Sequence, residues 1–122
     1  MVDDHPRPAL TDEAIIVRGG TMQLPHLYAS IDLAADRQGY PNLSFFGGNG
    51  LDVHDVCRHN PIRNRQVMFT TAGAMRSSGF DPRPQGDPDH VEVRFTVRPT
   101  DDELERLRAA FGGAIPNPSP AS

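Results

Sequence analysis

The chain contains no lysine; its twelve basic residues are all arginines. Schiff-base catalysis through a lysine amine is therefore excluded, as are the lysine of a phosphate-binding loop and the strand lysine of protein kinases. Tryptophan is also absent, and apolar residues make up 37% of the chain, which predicts a modest core. The single cysteine, Cys57, excludes an internal disulfide and fits a reducing compartment. No apolar run approaches the roughly 18 residues of a membrane span. The opening segment MVDDHPRPAL is acidic and broken by proline, unlike a signal peptide. These absences predict a cytoplasmic protein with no membrane partner.

The 122 residues suffice for one core built from two packed layers. A formal net charge of −4 argues against a surface that coats DNA, but the charge is unevenly placed. Between Arg58 and Phe80 there are four arginines and no carboxylate, whereas the stretch from Thr100 opens with four acids in six residues. Proline and glycine cluster toward the termini and around 79–88. That clustering predicts a flexible leader over 1–11, a globular domain over 12–112 and a disordered proline-rich tail over 113–122.

Within the domain, Ala14-Ile-Ile-Val17 is β-branched and closed by Gly19-Gly20, as a buried strand would be. Leu24, Leu27, Tyr28, Ile31 and Ala35 recur at helical spacing, predicting a helix from about Pro25 to Gln38 with Gly39 past its end. Strands are expected at 43–46 and 67–70, and helices at 51–59 and from a Thr71 cap to Gly79. The stretch HVEVRFTV at 90–97 alternates, with Val91, Val93, Phe95 and Val97 on one face and His90, Glu92, Arg94 and Thr96 on the other. Thr100 and Glu103 form a capping box opening a helix that packs Leu104, Leu107 and Phe111 inward. The expectation is an α+β domain with a mixed, mainly antiparallel sheet of four strands and about four short helices.

The stretch Ile15-Ile-Val-Arg-Gly-Gly20 ends an apolar strand in an arginine and then strips side chains from the next two positions. A guanidinium offers a fixed fork of donors suited to phosphate, and glycines let a ligand approach the backbone. A tight turn with an edge arginine would give the same letters. Ser44, between Leu43 and Phe45, points away from the face they bury and is free to line a site. His90 and Glu92 share a strand face, and a histidine suits general acid–base work. His54, Cys57 and His59 in HDVCRH lack the paired spacing of a zinc site, so no metal is expected. Arg58, Arg63, Arg65 and Arg76 form a candidate phosphate or RNA-backbone patch, against the alternative that they pair with the acidic helix start.

A strand ending in Arg18-Gly19, a helix, a strand bearing Ser44 beside Phe45, and a late strand with His90 and Glu92 together resemble the ADP-ribosyltransferase fold, which RNA 2′-phosphotransferases share. The resemblance implies NAD as cofactor. It places Arg18 on the phosphate or ribose, Gly19 and Gly20 beside the pyrophosphate, and Ser44 at the ribose. Glu92 or His90 would then polarise the reacting hydroxyl. The chain has no Ser-Thr-Ser segment, and histidine stands first in His90-Val91-Glu92 where the family has Glu-x-Glu. Compact domains of this kind resemble toxins of bacterial conflict systems, which implies an antitoxin or immunity partner. Two other readings stand beside it: a metal-independent ribonuclease using His90 with the arginine patch, and a non-catalytic accessory or binding subunit.

Overall fold

The computed structural model describes residues 7–121. Ten elements follow one another: β1 (Ile15–Gly19), α1 (Leu24–Gln38), β2 (Asn42–Gly48), α2 (Val53–His59), β3 (Gln66–Thr71), α3 (Ala72–Ser77), β4 (Arg83–Pro84), β5 (His90–Arg94), α4 (Asp101–Ala109) and β6 (Ile115–Pro116). The strands form one sheet in the order β4-β5-β2-β1-β3-β6, and every pair is antiparallel. The architecture is α+β with four helices, as the sequence pattern implies. The sheet has six strands rather than four and no parallel pair.

Local chemistry explains most of the element ends. Pro25 stands in the first turn of α1, and Gly39 closes that helix at φ 89° with its N–H on Ala35 O. Asp52 and Asp55 make a capping box on α2, the Thr71 hydroxyl accepts from the Ala74 N–H on α3, and Thr100 and Glu103 cap α4 reciprocally. Among the described residues, no helix is long and apolar enough to cross a membrane.

The sheet buries both faces, unequally. On one face, Ile16, Leu43, Phe45, Met68, Val91 and Val93 meet Leu27 and Ile31 of α1, Met75 of α3, and Leu104 and Leu107 of α4. Phe45 stacks on Phe111 with ring centroids 5.8 Å apart, filling the centre. On the other face, Val17 and Val67 pack on Val56 and Cys57 of α2 and on Ile62. α2 lies over β1 and β2. The side chains of Ser44, His90, Glu92 and Arg94 belong to this second face by strand alternation.

Three expectations are corrected. The stretch before residue 12 is not a free leader in its described part: Leu10 is buried in the main core, and Thr11 and Ala9 are tied to the Asn49 side chain. Residues 1–6 of that segment, and Ser122, lie outside the described residues. The tail is not disordered over 113–121, because Ile115–Pro116 pairs with β3. Asn117 is also buried there, with its amide on Ile62 O and Asn64 O. The alternation of the late strand ends at Arg94, so Val97 stands 71% exposed instead of facing inward, whereas Glu92, on the polar side, is only 3% exposed.

Candidate functional site: a notch between two central strands

The pairing of β1 with β2 runs only from Ile15–Gly48 to Val17–Phe46. Gly47 sits so close that a Cβ there would stand 2.3 Å from Ile15 O, which requires glycine at this position. Beyond Phe46 the two strands diverge, and residues 42–45 of β2 have β5 on one side and no β1 partner on the other. Arg18 fills that notch. Its Nη1 donates to the Ser44 carbonyl oxygen at 2.7 Å, its Nη2 to Ser30 Oγ of α1 at 3.0 Å, and its Cζ lies 5.7 Å from the Phe45 ring centroid.

Both oxygens are neutral. Among the described residues Arg18 has no ion pair, whereas Arg58, Arg76, Arg83, Arg94 and Arg98 each have a carboxylate. Desolvation pulls the Arg18 guanidinium below the usual arginine value. The crevice has two lobes on either side of it. One, of about 360 Å3, is lined by Gly19, Gly20, Thr21, His26, Ser44 and Asn64 among others. The second, of about 280 Å3, brings in Ser30, Arg37, Gln38 and Asn42. No carboxylate lines either lobe, although the chain as a whole is acidic.

The glycines after Arg18 serve a different purpose from the expected one. The Gly20 N–H is committed to Gln66 O at 2.8 Å, and Gly20 adopts φ 87°, a region that side chains disfavour. At Gly19 a Cβ would meet Asn64 Oδ1 at 2.1 Å. Both glycines build the turn; the Gly20 N–H is not open to a ligand. The turn ends at Met22, buried and itself at φ 53°, so backbone strain is stored beside the crevice.

The Ser44 hydroxyl turns to the second face, where its Oγ lies 3.1 Å from His90 Nε2. His90 Nδ1 is 2.7 Å from Gln85 O. Glu92 is the cross-strand partner of Ser44, but its carboxylate is spoken for: Arg94 Nε donates to Oε1 at 2.7 Å and Tyr40 OH to Oε2 at 3.3 Å. Arg94 also stacks over the Tyr40 ring at 4.3 Å. A cleft of about 580 Å3 beside them is larger than either lobe of the crevice, yet its charges cancel within the protein: Arg94 on Glu92, Arg83 on Asp81. It is therefore the poorer anion site. The structure brings Arg18 to the main-chain carbonyl of Ser44 and His90 to its hydroxyl, and leaves Glu92 engaged elsewhere.

The arginine patch does not assemble. Arg58 bonds Asp55 on its own helix, and Arg76 is drawn to Asp12 and Leu10 O. α3, which carries Arg76, packs on the opposite face of the sheet from α2, which carries Arg58. Arg63 and Arg65 stand on the loop before β3. Cys57 is buried in the second core, where desolvation raises its thiol pKa, and His59 reaches toward Asp89 at 3.6 Å. No three metal-ligating side chains converge among the described residues. Sequence reasoning missed Ser30, Arg37, His26 and Asn64. A polar Ser30 between Leu27 and Ile31 on the buried stripe of α1 was the available signal. Compared with protein-family models, curated proteins and solved structures, the chain matches none.

Proposed function

We propose that the protein binds NAD or a related phosphorylated nucleotide, with Arg18 holding the phosphate in the two-lobed notch. The observation that carries this reading is a partly desolvated guanidinium bonded only to neutral oxygens, in a crevice lined by Arg18, Arg37 and His26 and by no carboxylate. A charge held away from water without a counter-ion is a standing cost to the fold, and a bound anion removes it. The guanidinium retains unused N–H donors, and charge-assisted bonds to phosphate are the strong ones. The ligand class is the one implied by the resemblance to the ADP-ribosyltransferase fold. In that reading Ser44 faces the ribose and His90, rather than the engaged Glu92, polarises the reacting hydroxyl.

RNA is less well served, because two of the four patch arginines are neutralised internally. An antitoxin or immunity partner belongs to the toxin reading and would be sought only once nucleotide binding is shown.

Thermal unfolding with NAD, ADP-ribose and inorganic pyrophosphate tests the reading. A ligand at a hundred times its Kd stabilises by about 2.7 kcal/mol, which raises Tm by several degrees. The rise should vanish in Arg18→Ala, and nicotinamide release from NAD should vanish with it. No rise at saturating nucleotide removes the proposal.

A further inference from the structure

The Ser44 hydroxyl and the His90 ring stand in an order that nucleotide binding does not require. A carbonyl oxygen only accepts, so the Gln85 carbonyl 2.7 Å away fixes the proton of the neutral imidazole on Nδ1. That leaves the Nε2 lone pair facing Ser44 Oγ, 3.1 Å away. Hydroxyl, base and a third group that orients the base are the parts of an activated serine nucleophile. We propose that Ser44 and His90 form a nucleophile–base pair that takes acyl groups from carboxylic esters.

Three further observations support it. Ser44 is exposed, on the part of the second face beside β5. It is held rigidly, in register with β5 through Leu43–Val93, Ser44–Glu92 and Phe45–Val91. His90 is preceded by Asp89, a non-glycine residue at φ 65° whose carboxylate accepts from Asn60 Nδ2 at 3.0 Å, so the turn presenting the imidazole is strained and pinned. A developing oxyanion also has donors nearby. In an extended strand the N–H and C=O of one residue point to the same edge. Since Ser44 C=O meets Arg18 in the notch, the Ser44 N–H looks into the same notch, where β1 offers no ladder partner. That N–H is preorganised for negative charge, and the Arg18 guanidinium on the carbonyl of the same residue adds a cation at the notch.

The reaction balances without a cofactor. Ser44 Oγ attacks the acyl carbon while its proton passes to His90 Nε2. The C–O bond to the alcohol then breaks, and the leaving oxygen takes that proton. Water next gives a proton to His90 and its hydroxyl to the acyl carbon, and Ser44 regains its proton as the carboxylic acid departs. The inference does not rest on nucleotide binding, since ester chemistry is read whether or not NAD binds.

The test is p-nitrophenyl acetate with the intact chain, read as p-nitrophenolate release together with peptide mass mapping. The expected result is a burst stoichiometric with protein and acetyl on Ser44, both absent in Ser44→Ala, and a rate reduced by roughly 100-fold in His90→Ala, the lower range for loss of general-base assistance. Ser44→Cys, whose thiol needs less activation, should retain acetylation at position 44 and guards against a folding defect in the alanine variant. Release equal in wild type and Ser44→Ala, or acetyl found only on other residues, overturns the proposal.

Discussion

Replacing Gly20 with alanine separates the two purposes that a glycine pair after an arginine can serve. If Gly20 gives a ligand access to backbone, the methyl group should weaken binding and leave the fold alone. The structure argues otherwise. The Gly20 N–H is bonded to Gln66 O, and the nearest atom to an added Cβ is Asn64 Nδ2 at 3.4 Å, an ordinary contact. Space is therefore not the obstacle; the φ of 87° is. Holding an L-residue in the left-handed region costs roughly 1–2 kcal/mol, offset by a few tenths from the stiffer unfolded chain. A net loss of about 1 kcal/mol lowers Tm by about 3–5 °C in a domain of this size. Gly20→Asn, whose side chain tolerates that region, should recover part of the loss although it is bulkier. Paired melting curves of the three proteins, with nucleotide affinity measured well below Tm, give the answer. An unchanged Tm in Gly20→Ala, or an asparagine variant worse than the alanine one, would refute the conformational argument.

Other outcomes follow from the same geometry. Desolvation and a bond to Glu92 raise the Tyr40 pKa, and a bond to Asp101 together with desolvation raises that of Tyr28, each from the ordinary 10.0. Because the folded values are raised, their contribution is whole below pH 10 and lost as pH climbs through the folded values; Tyr28→Phe/Tyr40→Phe should flatten the alkaline fall in stability. Asn117→Ala removes the amide that holds Ile62 O and Asn64 O, and should cost about 1–3 kcal/mol and expose the tail to limited proteolysis. A tail cleaved equally fast in wild type and variant would contradict the assigned packing.

Much of the architecture was legible because it is written locally. The capping boxes, the β-branched runs and the helical spacing of Leu27 and Ile31 lie within a few residues of the structure they cause. The two missed strands, Arg83–Pro84 and Ile115–Pro116, are two residues long and contain proline, so no period exists to read. Their places are fixed by distant partners, as Asn117 shows with contacts 53 and 55 residues away. The same holds at the site. The sequence marks Arg18, Ser44 and His90 as polar residues on strands, but Arg18 and His90 are positioned by backbone carbonyls, those of Ser44 and Gln85, which no side-chain pattern displays. Glu92 looked free in the alternating strand. Arg94 engages it because i,i+2 neighbours on a strand share one face, and Tyr40 reaches it from the bend before β2.

The central claim is that the Arg18 guanidinium itself receives the phosphate. Nitrogen-15 spectra of the arginine Nε–H groups, with Arg18 assigned by its disappearance in Arg18→Leu, read this directly during titration with ADP-ribose. The Arg18 resonance should move furthest among the twelve arginines and do so saturably, with affinity falling roughly 10- to 100-fold in the leucine variant, the loss expected for one charge-assisted contact of about 1.5–3 kcal/mol. Shifts confined to Arg83 and Arg94 at the neutral cleft, with Arg18 unmoved, would contradict the account.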